Sequence, residues 1–417
     1  MRIVHAADLH IDSPLRGLER YAGAPYERVR GATREAFRNV IALCLREQAR
    51  YLVLAGDVFD GDWKDMNTGM FFVSELNRLR DVGCQVLLLR GNHDFELTRA
   101  LRWPEHVHEF GPAKSKARSF IFDNDGVAFH GVSYATQKVM DSLLPEYPAP
   151  LGGRLLEIGV LHTNATSNSE HAAYAPCTVS QLTAHGYGYW ALGHVHGHAV
   201  LARDPWVVYP GNTQGRNARE TGPKGCVVLD CDGGRVGDVR FVGSSVMTWV
   251  QHDVVLDRED TRDDLLEKSR AALRSLADGP LTAVRLRISG GCRAHVDVCR
   301  DYQHLVAQIR TDAMEAGLDL WLEKIELATS PKTSLDELRE ARGLVADLLR
   351  RVDHVRTDEG DADLHFLARA LDPVRKKLGK ELAELQLDDP DVLRRLLAGA
   401  ESLLAQRLTE GIDRGGE

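Results

Sequence analysis

Three histidines in the segment ALGHVHGH, at positions 194, 196 and 198, stand directly after an apolar run of the kind that forms a buried strand. Alternate residues of a strand lie on one face, so the three imidazole groups can point the same way. Imidazole is the commonest protein ligand for metal ions. The segment predicts a metal site to which other strands must contribute further ligands.

Four other apolar runs end in residues that can bind metal. They are RIVHAA, followed by Asp8 and His10; YLVLAG, followed by Asp57; VLLLRG, followed by Asn92; and EIGVL, followed by His162. In open α/β architectures, ligands gather beyond the carboxyl ends of the strands. Five strands that deliver Asp, Asn or His at the same end favour one shared centre, with His194 and His196 in it. The alternative is that these residues merely cap loops.

Seven side chains are too many for one tetrahedral zinc ion, which takes four ligands. They suit two ions that share Asp57, with positions left for a water and for substrate oxygens. A set of nitrogen and oxygen ligands without thiolate favours Mn, Fe or Zn over Cu(I) or an iron–sulfur cluster. We therefore expect two divalent ions per chain, with manganese as the first choice and Fe, Zn or Mg as the others.

The blocks DLH, GD, GNHD, LH and GHVH occur in this order along the chain, and the series resembles that of the calcineurin-like metallophosphoesterases. Within that family, HAADLHIDSPLRGL, LAGDVFDGDW and LRGNHD are most similar to the SbcD group of DNA-repair nucleases, in its YhaO-like branch. The resemblance is strong over residues 1–245 and holds only in outline beyond. It implies that one ion is held by Asp8, His10, Asp57 and His196, and the other by Asp57, Asn92, His162 and His194.

His93 has a different expected role, since its neighbour Asn92 takes the metal and leaves the imidazole free to face a phosphate. Asp94 is expected to accept a hydrogen bond from one ring nitrogen and so favour the protonated ring. A protonated His93 could stabilise the transition state at phosphorus and give a proton to the leaving oxygen. The alternative is that it packs the loop. His198, beyond Gly197, is expected either to support a metal ligand or to lie at the surface, and not to bind a metal itself.

Asp60, in the segment GDVFD, departs from the family pattern. Relatives in the SbcD group commonly have histidine at this position, and that histidine is linked to exonuclease action. A carboxylate cannot donate a proton as an imidazolium does. The departure leaves the metal chemistry in place and makes processive exonuclease action less secure.

The function most favoured by the resemblance is a two-metal DNA phosphodiesterase, a repair exonuclease or endonuclease in which an activated water attacks phosphorus. One alternative is a phosphodiesterase or phosphatase that acts on a small nucleotide or a phosphoprotein. Another is a scaffold whose metal site holds structure while a partner ATPase supplies the activity.

The net charge of the chain argues mildly against a nucleic-acid partner, and its distribution weakens that objection. Its formal net charge is −9, but about 26 basic and about 34 acidic side chains lie in residues 250–417, so the first part is close to neutral. A helical stretch carries Arg30, Arg34 and Arg38 on one face, where they either follow a phosphate backbone or form ordinary ion pairs. The basic residues in loops near the metal motifs are the better candidates for DNA contacts: Arg16, Arg20, Arg216 and Arg219.

The supporting elements indicate an α/β fold in three parts. Up to residue 245, short apolar runs alternate with amphipathic stretches, which predicts a two-sheet β-sandwich flanked by helices. Eight of these runs predict buried strands: RIVHAA, YLVLAG, CQVLLLRG, GVAFHGVS, LLEIGVL, YGYWALG, WVVYPG and GCVVLD. Residues 246–330 follow a strand–helix–strand–helix–strand pattern, which predicts a small α/β domain, and residues 331–417 are charged and rich in leucine, which predicts a helical C-terminal region. The resemblance implies that the three parts are a metallophosphoesterase core, a capping and DNA-binding domain and a partner-binding region.

The tail contains clear helix-start signals. Ser334 with Glu337 forms a predicted capping box, and Pro373 and Pro390 each follow an aspartate, as a first-turn proline follows an N-cap. The apolar stripes of these helices must be buried against something. In the SbcD group such helices dock on an SMC-like coiled-coil ATPase, and we expect that partner here. The alternative is that they pack on their own domain or across a dimer.

The resemblance also implies a homodimer formed through helices of the first domain. The candidate helix is residues 66–81, in which Met66, Met70 and Phe71 belong either to the interface or to the core. No run approaches the ~18 apolar residues of a membrane span, and the seven cysteines include no CxxC pair. We therefore expect a cytoplasmic protein without a membrane partner.

Overall fold

The computed structural model describes residues 1–13, 28–29, 31–61, 66–96, 102–112, 116–165, 174–277, 281–332, 335–340, 342–357, 361–371, 373, 389–397 and 400–401. Contacts divide the chain into two compact units. The first comprises Met1–Gln251, Ala277–Arg285 and Asp319–Glu323, and the second His252–Leu276, Leu286–Leu318 and Lys324–Glu417. The domain boundaries at residues 245 and 330 stay a prediction.

The first unit contains two six-stranded sheets. The strands of the first sheet are β1 (Arg2–Ala6), β2 (Tyr51–Ala55), β3 (Gln85–Leu89), β4 (Val107–Glu109), β11 (Gly225–Asp232) and β12 (Arg235–Gly243). Their order is β12-β11-β1-β2-β3-β4. Strands β1 to β4 are parallel, whereas β11 is antiparallel to β1 and β12 is antiparallel to β11.

The strands of the second sheet are β5 (Arg118–Phe122), β6 (Val127–Gly131), β7 (Leu156–His162), β8 (Tyr189–Gly193), β9 (Ala199–Arg203) and β10 (Trp206–Tyr209). Their order is β5-β6-β7-β8-β10-β9. Strands β6, β7, β8 and β10 are parallel, and the outer strands β5 and β9 are antiparallel to their neighbours. Both sheets therefore have parallel strands at the centre. Antiparallel strands lie at one edge of the first sheet and at both edges of the second.

The core of the first unit lies between these sheets. Because side chains alternate across a strand, Ile3, Val53 and Leu87 of the first sheet point inward and pack with Ile158 and Tyr189 of the second. The intervening residues of the first sheet point outward and pack against helices α1 (Ala32–Arg46) and α2 (Met66–Arg80). The second sheet has a further apolar layer that includes Leu182 of the short helix α3 (Val179–Ala184).

The remaining elements belong to a three-stranded sheet and to the helices. The strands are β13 (Met247–Val255), β14 (Leu281–Cys292) and β15 (Leu320–Pro331), and the helices α4 (Arg262–Ser275), α5 (His295–Arg300), α6 (Tyr302–Glu315), α7 (Leu335–Glu340), α8 (Leu344–Val355) and α9 (Asp361–Ala370). The sheet order is β13-β14-β15. Helix α4 begins at a capping box in which Thr261 and Asp264 exchange hydrogen bonds.

The tail helices bury part of their apolar surface on one another. Val345 and Leu349 of α8 pack against two leucines of α7, and Asp389 caps the helix that begins at Pro390 by accepting a hydrogen bond from the Asp391 backbone N–H (2.8 Å). Leu344, Phe366 and Leu396 nevertheless stay exposed. Ser334, of the predicted capping box, lies outside the described residues.

The predicted fold class is confirmed: two multi-stranded sheets with helices form the core, and a helical C-terminal region follows. The eight strands predicted in residues 1–245 are the interior strands of the two sheets, while the edge strands β4, β5, β9 and β12 were missed. None of the helices in the described part of the chain is long and apolar enough to cross a membrane.

Candidate metal centre

The predicted ligands lie where the carboxyl ends of β1, β2, β3, β7 and β8 meet. The backbone there is strained, because several of these non-glycine residues have a left-handed conformation, which L-amino acids avoid. Their φ angles are 52° for Asp8, 43° for His10, 52° for Asp57 and 100° for His194. Such conformations cluster at active sites, where the surrounding structure holds them in place.

One group of ligand atoms is formed by Asp8, His10 and His196. The Nε2 atoms of His10 and His196 are 3.3 Å apart, and His196 Nε2 is 3.9 Å from Asp8 Oδ1. The Asp8 carboxylate accepts a hydrogen bond from the backbone N–H of His194 (3.0 Å). This bond ties the end of β1 to the end of β8, which belongs to the other sheet.

A second group surrounds His162 at the end of β7. Its Nε2 atom is 3.3 Å from Asp57 Oδ2 and 3.1 Å from Asn92 Oδ1, while its ring lies 5.2 Å from the ring of His194. Asp57 Oδ2 is also 3.9 Å from His10 Nε2. Asp57 thus stands between the two groups, as a bridging ligand must.

The fully buried pair of Asp57 and His162 carries opposite charges. Burial disfavours both charged forms, but the attraction and hydrogen bond between the two side chains outweigh it. The pKa of Asp57 is therefore lowered, and the pKa of His162 is raised to about 9. A metal ion needs the neutral imidazole, so its binding at this position must release the proton.

The donor set and its spacing fit divalent metal ions. Ligand atoms around one ion, each bonded at about 2.1 Å, lie about 3 Å from one another, and the closest pairs in both groups are 3.1–3.3 Å apart. His10 Nδ1 is buried with no hydrogen-bond partner among the described residues. Two imidazole nitrogens that face each other are better satisfied by a shared cation than by one proton. The structure thus brings all seven predicted ligands to one place.

Glycine is required beside these ligands. A Cβ atom on Gly91 would overlap the Asp57 carboxylate and the His162 ring. The backbone of the segment GNHD can approach the ligands only because no side chain stands at this position.

The predicted partner of His93 was wrong. His93 Nδ1 lies 2.6 Å from Asp60 Oδ1, and this hydrogen bond raises the pKa of His93 although burial opposes it. The expected partner, Asp94, accepts instead from the backbone N–H groups of Gly91 (2.7 Å) and Val58 (2.8 Å). Asp60, the residue that departs from the family pattern, is therefore the carboxylate that favours protonated His93.

Asp94 holds the loop that carries His93. It is buried, and its two oxygens join the loop after β3 to the loop after β2. Burial and the nearby Asp57 carboxylate raise the pKa of Asp94 to about 7. These bonds give Asp94 a structural role in the loop. It does not reach His93, because adjacent residues of a tight turn point in different directions.

Asp60 is surrounded by groups that favour its charged form. Besides His93, Ser13 Oγ donates a hydrogen bond to it (2.7 Å), and Arg216 Nη1 lies 3.7 Å away. Burial opposes ionisation, but these contacts and the nearby His10 lower the pKa of Asp60. The charged form of Asp60 is thus favoured beside the partly exposed imidazole of His93.

Of the predicted DNA contacts, Arg216 lies at the centre. Its guanidinium spans the space between Asp60 and Glu220, and its Nε atom has no hydrogen-bond partner among the described residues. Arg219 is exposed and lies farther along the same loop. Arg16, Arg20 and Arg30 lie outside the described residues. Arg38 pairs with Glu35 and Glu75, as the alternative interpretation of its helix predicts.

Glu220 was missed by the sequence analysis. It accepts a hydrogen bond from His196 Nδ1 (3.0 Å), on the side of the ring opposite to Asp8 and His10. Three histidines outside the ligand set have structural partners: His5 bonds to Tyr189 and Leu192, His130 to Ser119 and Glu157, and His198 to the carbonyl of Tyr209.

Comparison with known proteins agrees with this geometry. Residues 1–198 match the calcineurin-like phosphoesterase family, and residues 249–330 match the middle domain of the metallophosphoesterase YhaO. The metallophosphoesterase YhaO of Bacillus subtilis is 35% identical over 332 residues, which are 78% of this chain and 77% of that protein.

The more distant relatives include proteins named DNA double-strand break repair protein Mre11. That of Haloferax volcanii is 28% identical over 225 residues, which are 54% of this chain and 48% of that protein. That of Saccharolobus solfataricus is 22% identical over 205 residues, which are 49% of this chain and 51% of that protein. The chain therefore belongs to the calcineurin-like metallophosphoesterases, in their YhaO-like branch, and is a metal-dependent hydrolase of phosphoesters.

Proposed function

We propose that this chain hydrolyses phosphodiester bonds of DNA with two divalent ions, manganese being the first choice. One observation carries the proposal. Seven side chains from five strands come together with Asp57 at their centre, and the imidazole of His93 stands beside them with 38% of its side chain exposed. A centre that only held structure would not need a partly exposed histidine at its edge with a carboxylate placed to favour its protonated form.

The roles of the ligands follow from their positions. Asp8, His10, Asp57 and His196 would hold one ion, and Asp57, Asn92, His162 and His194 the other. Such ions activate a water and neutralise charge on the phosphoryl oxygens. His93 would act as the general acid. Because Asp60 holds Nδ1 of the ring, Nε2 is the atom that would donate a proton to the leaving oxygen.

Arg216 is suited to hold the phosphate. Its contacts with Asp60 and Glu220 are long, at 3.7 and 3.4 Å, and its Nε–H is not used by any described residue. A guanidinium offers several donors in a fixed plane, which matches the oxygens of a phosphate. We propose that Arg216 binds the non-bridging oxygens of the phosphodiester.

The surroundings of the centre favour a polymer over a small nucleotide. An open cavity of about 990 Å³ begins at His196 and continues along the first unit to Gln251. Arg219 and Lys224 line it and supply positive charge. Two of the distant relatives are named as DNA double-strand break repair proteins, which points to the same class of substrate.

The partners of the chain are part of the same proposal. The tail leaves Leu344, Phe366 and Leu396 exposed after its helices have packed on one another, and an SMC-like coiled-coil ATPase would cover such residues. Met66 and Met70 of α2 are also exposed, so they are not core residues, and a homodimer would bury them.

The test is cleavage by the purified full chain in manganese and in a chelator. The substrates are linear duplex DNA, single-stranded DNA and bis-p-nitrophenyl phosphate. We expect manganese-dependent cleavage of DNA, and loss of that cleavage without loss of bound manganese in His93→Ala. Cleavage of only the small diester would favour the small-nucleotide alternative, and no cleavage of any substrate by the manganese-loaded chain would favour a scaffold.

A further inference from the structure

Glu220 lies beside the metal centre and belongs to none of the five sequence blocks that supplied the predicted ligands. Glu220 is partly buried, with 12% of its side chain exposed, in the loop between β10 and β11. Its Oε1 accepts from His196 Nδ1 at 3.0 Å and from Asn217 Nδ2 at 3.3 Å. Its Oε2 accepts from Asn212 Nδ2 at 2.7 Å and from the Arg216 backbone N–H at 2.9 Å.

The other described groups that bond to Glu220 are N–H donors, so the carboxylate is an acceptor throughout, and this fixes the direction of the bond to His196. A carboxylate can only accept, so His196 Nδ1 must carry the proton. The neutral ring then has its lone pair on Nε2, the atom that lies 3.3 Å from His10 Nε2 and 3.9 Å from Asp8 Oδ1. Glu220 thereby sets both the tautomer and the orientation that a metal ligand needs.

The same carboxylate also connects His196 to Arg216. The Nη2 atom of Arg216 lies 3.4 Å from Glu220 Oε1 and 3.4 Å from His196 Nδ1. One acidic side chain therefore holds a ligand of the metal and the cation to which the phosphate is assigned.

We propose that Glu220 is a positioning residue of the metal centre, which fixes His196 with Nε2 toward the metal and holds Arg216 beside it. This inference rests on the metal centre that the proposed function uses. Glutamine at position 220 would keep the size of the side chain but could accept on only one side, and its amide group would oppose donors on the other.

The test measures manganese binding rather than activity. Glu220→Gln should weaken the binding of one of the two manganese ions about 10–100-fold, as loss of such a second partner commonly does. The matched control is Glu157→Gln, because Glu157 is also buried and also pairs with a histidine, His130 (3.2 Å), but lies away from the centre. The control should bind both ions as the original chain does.

A second readout identifies the cause. In the metal-free protein, the ¹⁵N chemical shifts of His196 should report a protonated Nδ1, and Glu220→Gln should shift the ring toward a mixture of tautomers. Unchanged manganese affinity or an unchanged tautomer in Glu220→Gln would overturn the inference. If Glu220→Gln weakens manganese binding as expected but the original chain does not cleave DNA, the role of Glu220 stands and DNA is ruled out as the substrate.

Discussion

Replacing Asp60 with asparagine removes the charge beside His93 and keeps the size of the side chain. In the structure the carboxylate accepts a hydrogen bond from His93 Nδ1 at 2.6 Å, which raises the pKa of His93. Hydrogen bonds to charged groups contribute about 1.5–3 kcal/mol. Because the His93 side chain is 38% exposed, solvent screening places this bond at the lower end of that range.

The sign of the effect follows from the raised pKa. His93 is needed in its protonated form, and without Asp60 that form is lost at a lower pH. A loss of about 1.4 kcal/mol corresponds to about tenfold in rate. We therefore expect Asp60→Asn to lower turnover of a DNA oligonucleotide about tenfold at alkaline pH and to leave it nearly unchanged at acidic pH.

The assay compares two leaving groups. The sugar oxygen of DNA is a poor leaving group that needs a proton, whereas p-nitrophenolate leaves without one. Asp60→Asn should therefore slow DNA cleavage and have little effect on bis-p-nitrophenyl phosphate, with bound manganese unchanged. An equal loss on both substrates, or an unaltered pH profile on DNA, would refute the assignment of Asp60 to His93.

Four further results are expected. His93→Ala should lower DNA cleavage about 10²–10⁴-fold, as loss of a general acid does, while manganese content by elemental analysis stays unchanged. Gly91→Ala should weaken manganese binding about 10–100-fold in a calorimetric titration, because its Cβ would overlap two ligands. Burial lowers the pKa of His5 to about 3, so the metal-free protein should lose stability as the pH falls below about 6.5. Between pH 7 and pH 5, the free energy of unfolding in urea should fall about 2 kcal/mol less for His5→Asn than for the original chain. A chain that ends at residue 330 should keep manganese-dependent cleavage and fail to co-purify with a co-expressed SMC-like ATPase, and a truncated chain that still binds it would contradict the docking role of the tail.

Strands were predictable from the sequence where both of their faces are buried. The interior strands, such as β2 with its five buried residues, are continuous apolar runs, and the eight predicted in the first part of the chain lie inside the sheets. The edge strands alternate weakly or are short: β12 is mostly exposed or half-buried, and β4 has three residues. A strand with one neighbour need not be apolar on both faces, so its pattern resembles that of a loop.

The convergence of the candidate metal ligands could be predicted from the sequence for a simple reason. Each follows a buried strand, and parallel strands bring their carboxyl ends to one edge. The partners of those ligands were not accessible in this way. Asp94 is next to His93 in sequence but points to backbone N–H groups, and Glu220 reaches His196 from a loop 24 residues away. Only the path of the chain between elements decides such contacts.

A dinuclear centre bridged by Asp57 is tested most directly by the number of manganese ions that the chain binds. The full chain, freed of metal and titrated with manganese in a calorimeter, should bind two ions. Asp57→Ala should weaken both, since Asp57 Oδ2 faces His162 at 3.3 Å and His10 at 3.9 Å. Binding of a single ion, with an affinity that Asp57→Ala does not change, would contradict a dinuclear centre bridged by Asp57.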